Sequence, residues 1–371
     1  MKYVSCFSGI GGLEATRPPE QYCEQDPAAA AVLRARHPGI DIWPDVCTLD
    51  PPAADVVAGG WPCQDLSIAG KQQGLAGLRS GLLRQLLRVA ARAGAHTIVA
   101  ENVPNLLKMR TGDEFEASLA EFARHGYGHV GWRILNAREF GLPQNRSRLL
   151  IIASKNRELV YTLFRAVVPV RKVVDKAGAD VAAGFYWTAG THSINYTRGF
   201  VPAIKIGSSV GIASPPAVHY GEVVRVLSAD EALKLQGFDL TTADFGSRTE
   251  AYKAAGNAVA RDIGRWVLDG VVGGSIVPPP ATRPYQQSLL LDGPREGYPA
   301  AGLVADGVMR PVAVAVGRRA SNLSDFLDLT SPERLSWRAS GGLLRRLDKS
   351  QMPCPPDLRA ALATHGRQEV A

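Results

Sequence analysis

The sequence predicts an α/β chain: a doubly wound sheet with a ligand site at its strand ends, joined to a smaller strand- and loop-rich module. Three observations predict it. Short apolar runs alternate with helix-compatible stretches through the first 154 residues. A glycine turn, Ser8-Gly9-Ile10-Gly11-Gly12, follows the first apolar run directly. After Ser154 the alternation stops, and residues 155–222 carry eight Lys/Arg against four Asp/Glu, with aromatics scattered among Gly, Thr and Ser.

The elements follow in order. Tyr3 to Phe7 reads as a strand and Ala28 to Arg36 as a helix. Asp55 to Gly59 is a buried strand, Gly81 to Ala93 a helix with basic outer positions, and Thr97 to Glu101 another buried strand. Phe115 to Arg124 is helical; Trp132 to Leu135 and Arg148 to Ala153 are further strands. Strands alternating with helices argue for parallel pairing. Beyond the inserted module, Ser228 and Glu231 form the N-cap and third position of a capping box. A second helix is expected from Ala258 to Val272, and Pro278-Pro279-Pro280 marks a linker. The expected domains are therefore 1–154, 155–222, a return of the chain over 223–275, and an extension over 276–371. Basic residues exceed acidic ones twelve to nine in that extension, which reads as a solvated helical appendage that could add contacts or dock a partner.

Composition narrows the function classes. The formal charge of +7 is compatible with a polyanionic partner. No run of eighteen apolar residues occurs and the N-terminus has no signal-peptide pattern, so a cytoplasmic protein without a membrane span is expected. Five widely spaced cysteines, Cys6, Cys23, Cys47, Cys63 and Cys354, fit neither a disulfide framework nor a zinc site. All but Cys63 read as small buried hydrophobes.

Four clusters carry the chemistry. The glycine turn permits close approach of backbone to a ligand, but it lacks the three-glycine dinucleotide spacing. Glu24 ends the expected second strand, where a carboxylate commonly holds ribose hydroxyls, and Asp45 follows the next. In Gly60-Trp61-Pro62-Cys63-Gln64, a cysteine at a strand end is a candidate nucleophile. Lys71 and Arg79 in the glycine-rich stretch that follows can lower its pKa, and Ser67 to Gly81 reads as a closing loop. Glu101, 38 residues after Cys63, ends an apolar run; one intervening helix would bring the two side by side on adjacent strands. A carboxyl so placed has reason for a raised pKa, which suits general acid work. In Gln144-Asn145-Arg146-Ser147-Arg148, two arginines at alternate positions of a strand share one face and suit a phosphate or a base carbonyl.

Taken together, these pieces resemble the DNA cytosine-5 methyltransferase family. They are Phe7-Ser8-Gly9-Ile10-Gly11-Gly12, Pro62-Cys63-Gln64, Glu101-Asn102-Val103, Gln144-x-Arg146-x-Arg148, Arg225-x-Leu227 with Gln236-Gly237-Phe238, and Gly256-Asn257-Ala258-Val259, in the family's order over roughly residues 3–272. The resemblance implies a Rossmann-like, S-adenosylmethionine-dependent methyltransferase domain with a target-recognition domain at 155–222. It implies base flipping, Cys63 as nucleophile, Glu101 on ring nitrogen 3, and Arg146 and Arg148 on the base carbonyl. Phe7, Gly9, Ile10, Gly11, Glu24, Asp45, Val46, Leu82, Asn257 and Val259 would line the cofactor site. Gln64, Ser67, Arg79, Thr197 and Arg198 would meet DNA, with Arg171 a further candidate guanine contact. The partner implied is double-stranded DNA, with a cognate restriction endonuclease in a restriction-modification setting; a monomer is expected. Gln25 stands where the family often has an aromatic, and Ala258 where it often has serine. The alternatives are a tRNA cytosine-5 methyltransferase, disfavoured by the 68 residues between Ser154 and Val223, and a catalytically silent DNA-binding homologue.

Overall fold

The computed structural model describes residues 1–61, 79–167, 181–188, 193–205, 215–274, 300–312, 314 and 322–365. These fall into two compact units. The first takes Met1–Leu135, Ser147–Val167 and Val259–Val316; the second takes Asn136–Arg146, Val168–Ala258 and Gly317–Ala371.

The first unit is built on a nine-stranded sheet. Its strands are β1 (Tyr3–Cys6), β2 (Gln21–Cys23), β3 (Ile42–Trp43), β4 (Val56–Gly60), β5 (Thr97–Asn102), β6 (His129–Asn136), β8 (Ser147–Ser154), β14 (Ala301–Ala305) and β15 (Val308–Pro311). They run in the order β15-β14-β6-β8-β5-β4-β1-β2-β3. β3, β2, β1, β4 and β5 are parallel, and their order reverses at β1 and β4. A reversal of this kind leaves a crevice outside the carboxyl ends of the two strands, where ligands bind in open α/β sheets.

The expected parallel pairing holds for these five strands and stops there. β8 pairs antiparallel with β5, and β14 pairs antiparallel with both β6 and β15. Ten residues, Ala137–Arg146, lead from β6 to β8, too few for the helical crossover that parallel neighbours require. The extension beyond 275 is likewise no appendage, since its hairpin β14–β15 completes the sheet. Gly302 is required there because a Cβ would lie 2.2 Å from the Trp132 ring.

Helices form where caps and apolar spacing agree. Helix α1 (Pro27–Arg36) starts at Asp26, whose carboxylate accepts from the Ala28 and Ala29 N–H groups. Helix α2 (Arg79–Ala93) buries Leu83, Leu86, Leu87 and Ala90 at helical spacing against Val4, Val57 and Ile98 of the sheet. Helix α3 (Asp113–Arg124) adds Phe115 and Phe122 to the same core, with Phe115 edge-on to Trp132. The helix expected over Ala258–Val272 is α7 (Arg261–Val272), preceded by a separate α6 (Arg248–Asn257). Among the described residues no helix is long and apolar enough to cross a membrane.

The second unit carries an antiparallel sheet of β9 (Ala183–Phe185), β10 (Thr197–Arg198), β12 (Ala217–Tyr220) and β13 (Val223–Val226), in the order β10-β9-β12-β13. Helices Trp337–Ser350 and Pro356–His365 cover it, placing Leu343, Leu347, Leu358 and Leu362 against Phe185 and Val224. This unit therefore extends well beyond 155–222 and draws on the C-terminal tail. The linker at Pro278–Pro280 lies outside the described residues.

The capping box expected at Ser228 is present, opening helix α5 (Ala229–Leu235). Its Glu231 does more than cap. Arg225, fully buried, donates to both Glu231 oxygens at 2.8 and 2.7 Å and to the Asp328 carbonyl at 2.8 Å. Asp328 N–H donates back to Glu231. Removing one partner of such a pair strands the other charge in a low dielectric. Arg225→Met should cost about 3–5 kcal/mol in urea unfolding, and Arg225→Met combined with Glu231→Met should recover much of it.

Candidate active site

The turn after β1 is built from left-handed backbone. Phe7, Gly9 and Gly11 take φ of 52°, 56° and 85°. β1 therefore stops at Cys6 rather than at the predicted Phe7. Phe7 is half-buried on the core, its positive φ turning the chain out of the strand. Among the described residues, nothing lies within 4 Å of where a Gly9 Cβ would stand. Gly11 and Gly12 are the reverse case. A Cβ on Gly11 would meet the Glu14 carboxylate at 2.3 Å, and one on Gly12 the Val259 carbonyl at 2.4 Å.

Four groups hold this turn. Arg36, in the last turn of α1, donates to the Ile10 carbonyl at 2.8 Å. Ser8 N–H donates to the Cys23 carbonyl, tying the turn to β2. Glu24 accepts from Gly9 N–H at 2.7 Å and, through its other oxygen, from Asp26 N–H at 2.7 Å. Burial raises the Glu24 carboxyl above its ordinary range, and those two N–H donors act against it. Finally, α7 returns the far end of the chain to the turn: a Cβ at Gly264 would lie 1.9 Å from the Gly12 carbonyl. Buried Val259 belongs to this return, whereas exposed Asn257 belongs to the second unit.

Asp45 lies exposed after β3, accepting from Cys47 N–H at 2.9 Å. The next residue, Val46, is buried, and Arg88 of α2 donates to its carbonyl and to that of Leu49. Arg88 thus turns inward, unlike the basic outer position expected of it. Leu82 is half-buried on the same core. The sequence reading missed Arg36, Arg88 and Glu14. A basic residue at a helix end or on a helix flank is ordinary, so no local signal marked the carbonyls they reach.

The second cluster sits at the ends of β4 and β5, which are adjacent and parallel with Gly60 opposite Glu101. This adjacency bears out the one-helix spacing read from the sequence. A Cβ at Gly60 would fall 2.6 Å from a Glu101 oxygen, so the carboxylate lies directly over that glycine. Arg148 at the start of β8 donates Nε to Glu101 Oε1 at 2.8 Å, both side chains largely shielded from solvent. Asn102 donates to the Trp61 carbonyl at 3.2 Å, fastening β5 to the chain leaving β4. Cys63, Gln64, Ser67 and Lys71 lie outside the described residues, as does the side chain of Arg79.

Arg146 and Arg148 do not share one face of one strand. The strand breaks between them: β7 (Gln144–Asn145) pairs with β11 (Val201–Pro202), and β8 begins at Ser147. Arg146 is buried and donates to the carbonyls of Ile204, Gly256 and Ala258 at 2.7–2.8 Å, all within the second unit. Gln144 and Gln236, also fully buried, donate to the Leu235 and Ala255 carbonyls. The Gln-x-Arg and Gln-Gly-Phe elements thus knit the second unit together through backbone acceptors.

Thr197 and Arg198 form β10. Thr197 donates its hydroxyl to the Phe200 carbonyl at 2.8 Å. Exposed Arg198 pairs with Asp357 at 2.6 Å and lies 5.6 Å from the Tyr196 ring. Arg171 lies outside the described residues. Of the cysteines, Cys6 and Cys23 are buried neighbours across β1 and β2, and burial pushes both thiols up, Cys23 to about 12. Cys47 is exposed and Cys354 half-buried, so the expectation of burial fails for these two.

Comparison with known proteins bears on this geometry. The family model of C-5 cytosine-specific DNA methylases matches residues 1–176. The Type II methyltransferase M2.BsuMI of Bacillus subtilis is 36% identical over 289 residues, covering 72% of this chain and 74% of that protein. The Type II methyltransferase M.Bsp6I of a Bacillus species is 25% identical over 313 residues, covering 73% of this chain and 98% of that protein. Among solved structures, the Dnmt2 methyltransferase of S. pombe overlays with a TM-score of 0.52 at 14% identity, over 74% of this chain and 98% of that one. That likeness shows the methyltransferase fold. The methyltransferase fold and the match to M2.BsuMI agree: the chain belongs to the C-5 cytosine-specific DNA methylase family and is a DNA cytosine-5 methyltransferase.

Proposed function

We propose that the chain methylates carbon 5 of a cytosine rotated out of duplex DNA, using S-adenosylmethionine and a covalent adduct at Cys63. The Glu101–Arg148 ion pair carries this reading. It stands over Gly60, and two residues of chain, Trp61 and Pro62, separate Gly60 from Cys63.

The cofactor site fits its ligand. Gly9 leaves open space among the described residues, Gly11 and Gly12 bring the backbone in close, and the carboxylates of Glu24 and Asp45 end the next two strands, where ribose and adenine donors would be met. Phe7, Ile10, Val46 and Leu82 supply apolar surface around them, with Val259 behind the turn and Asn257 at the end of α6. The bound cofactor supplies an electrophilic methyl group on sulfur.

The residues of the chain handle the base. Cys63 thiolate adds to ring carbon 6. Glu101 bonds or protonates ring nitrogen 3, so the electron pair displaced by that addition returns through carbon 5 to the methyl group. Loss of the carbon 5 proton and departure of the Cys63 sulfur restore aromaticity and the free thiolate. Arg148 orients Glu101 and faces the base carbonyl. Arg146, committed to three carbonyls, serves as a positioning residue. Gln64, Ser67 and Arg79, around the nucleophile, meet the DNA. The second unit reads sequence, with Thr197 and Arg198 on β10 as candidates; Arg198 exchanges Asp357 for a base to do so. The Type II names of the relatives support a restriction-modification setting, in which a monomer protects DNA from a cognate endonuclease.

Bisulfite sequencing of DNA from cells expressing the chain tests the reading and reports the site. Methyl transfer to total tRNA but not to duplex DNA would replace it. Cys63→Ser should abolish transfer while leaving DNA binding intact; full transfer by this variant would sink the adduct mechanism. Glu101→Gln should lower single-turnover transfer about 10²–10⁴-fold, the range for a lost general acid. Arg148→Lys should lose much of the same factor, read in the same assay. Arg36→Met should weaken S-adenosylhomocysteine binding about tenfold by isothermal titration, because it frees the Ile10 carbonyl and loosens the turn.

A further inference from the structure

Helix Trp337–Ser350 shows one face to the core and the other to solvent. Ser340, Leu343 and Leu347 are buried. At 3.6 residues per turn, Arg338, Gly342, Arg345 and Lys349 fall on a single stripe opposite them, and the three basic residues are exposed. The helix's one acid, Asp348, is engaged by Arg359 at 2.5 Å, and its remaining arginine, Arg346, donates to the Trp187 carbonyl. Positive charge therefore runs along three turns of the exposed side.

The glycine pair Gly341-Gly342 lies within this stretch. Glycine disfavours a helix interior more than any residue except proline. The chain's own packing does not demand it here. Among the described residues, a Cβ at Gly341 would meet only the Arg345 guanidinium, at 3.5 Å, and one at Gly342 the same group at 4.0 Å. The effect of the pair is to leave backbone bare between Arg338 and Arg345. Beside it Trp337 is 41% exposed, with the Arg338 guanidinium 5.2 Å from its ring centroid.

We propose that this face of helix Trp337–Ser350 binds the sugar–phosphate backbone of duplex DNA. Arg338, Arg345 and Lys349 match the charge of successive phosphates, the bare glycine backbone admits them closely, and Trp337 offers a flat wall to a sugar. The contact is independent of sequence and sets register. It has a direct path to the recognition strand: the neighbouring helix Pro356–His365 is tied to β10 by the Asp357–Arg198 pair. The proposal rests on duplex DNA being the substrate, and its test separates the two.

The test is fluorescence anisotropy of the full chain on a mixed-sequence 30-base-pair duplex over a salt series. Failure of the unaltered chain to bind overturns the DNA reading itself. If it binds, the variant R338Q/R345Q/K349Q should raise Kd at least about tenfold and reduce the slope of log K against log salt by about 2–3, since each phosphate left without its cation lowers the slope by about 0.9. Gly341→Ala with Gly342→Ala should raise the melting temperature yet weaken binding, which a merely structural role for the helix would not produce. An unchanged slope in the charge variant overturns the proposal. So does a concentration-dependent dimer of the unaltered chain that the charge variant abolishes without a change in slope, which would assign the face to a second copy.

Discussion

The contact between the backbones of Gly12 and Gly264 sets the terms for the first unit. No side chain fits at either position. Because α7 lies that close, the turn after β1 is braced from behind by this helix, while Glu24 and Arg36 hold it from the strand side. The Met1 amino group donates to the Val272 carbonyl at the other end of the same helix. Gly9 and Gly11 adopt the left-handed region freely, but Phe7 does so at a cost. The turn persists here because neighbours over-determine it.

Charge is used differently in the two units. In the first, the Glu101–Arg148 pair is shielded and sits at a strand end. In the second, Arg146 and Arg225 are fully buried and give their donors to carbonyls and to one carboxylate. Such arginines hold together segments distant in sequence: Arg146 links residues 204, 256 and 258, and Arg225 reaches residue 328. Two of the motifs read as catalytic signatures owe part of their form to this internal work.

Much of this was legible in the sequence because it depends on local rules. The alternation of apolar runs and helical stretches, the glycine turn, the capping box at Ser228 and Glu231, and the adjacency of the strands ending at Gly60 and Glu101 all follow from periodicity, capping or spacing. What was not legible depends on distant partners. The antiparallel β8, the pairing of β14 with β6 and the break between Arg146 and Arg148 are decided by strand neighbours that no window of the sequence contains. The tail looked like an appendage because its apolar residues match a face of the second unit that forms only after the chain has folded.

The interleaving of the chain has an evolutionary and practical consequence. The second unit is assembled from three pieces, Asn136–Arg146, Val168–Ala258 and Gly317–Ala371, while the intervening pieces build the sheet. The second unit is not a cassette. A graft of residues 155–222 from a relative would arrive without the helices that cover its sheet and without the Arg225–Glu231–Asp328 tie. Exchange of the second unit between relatives must therefore carry all three segments together.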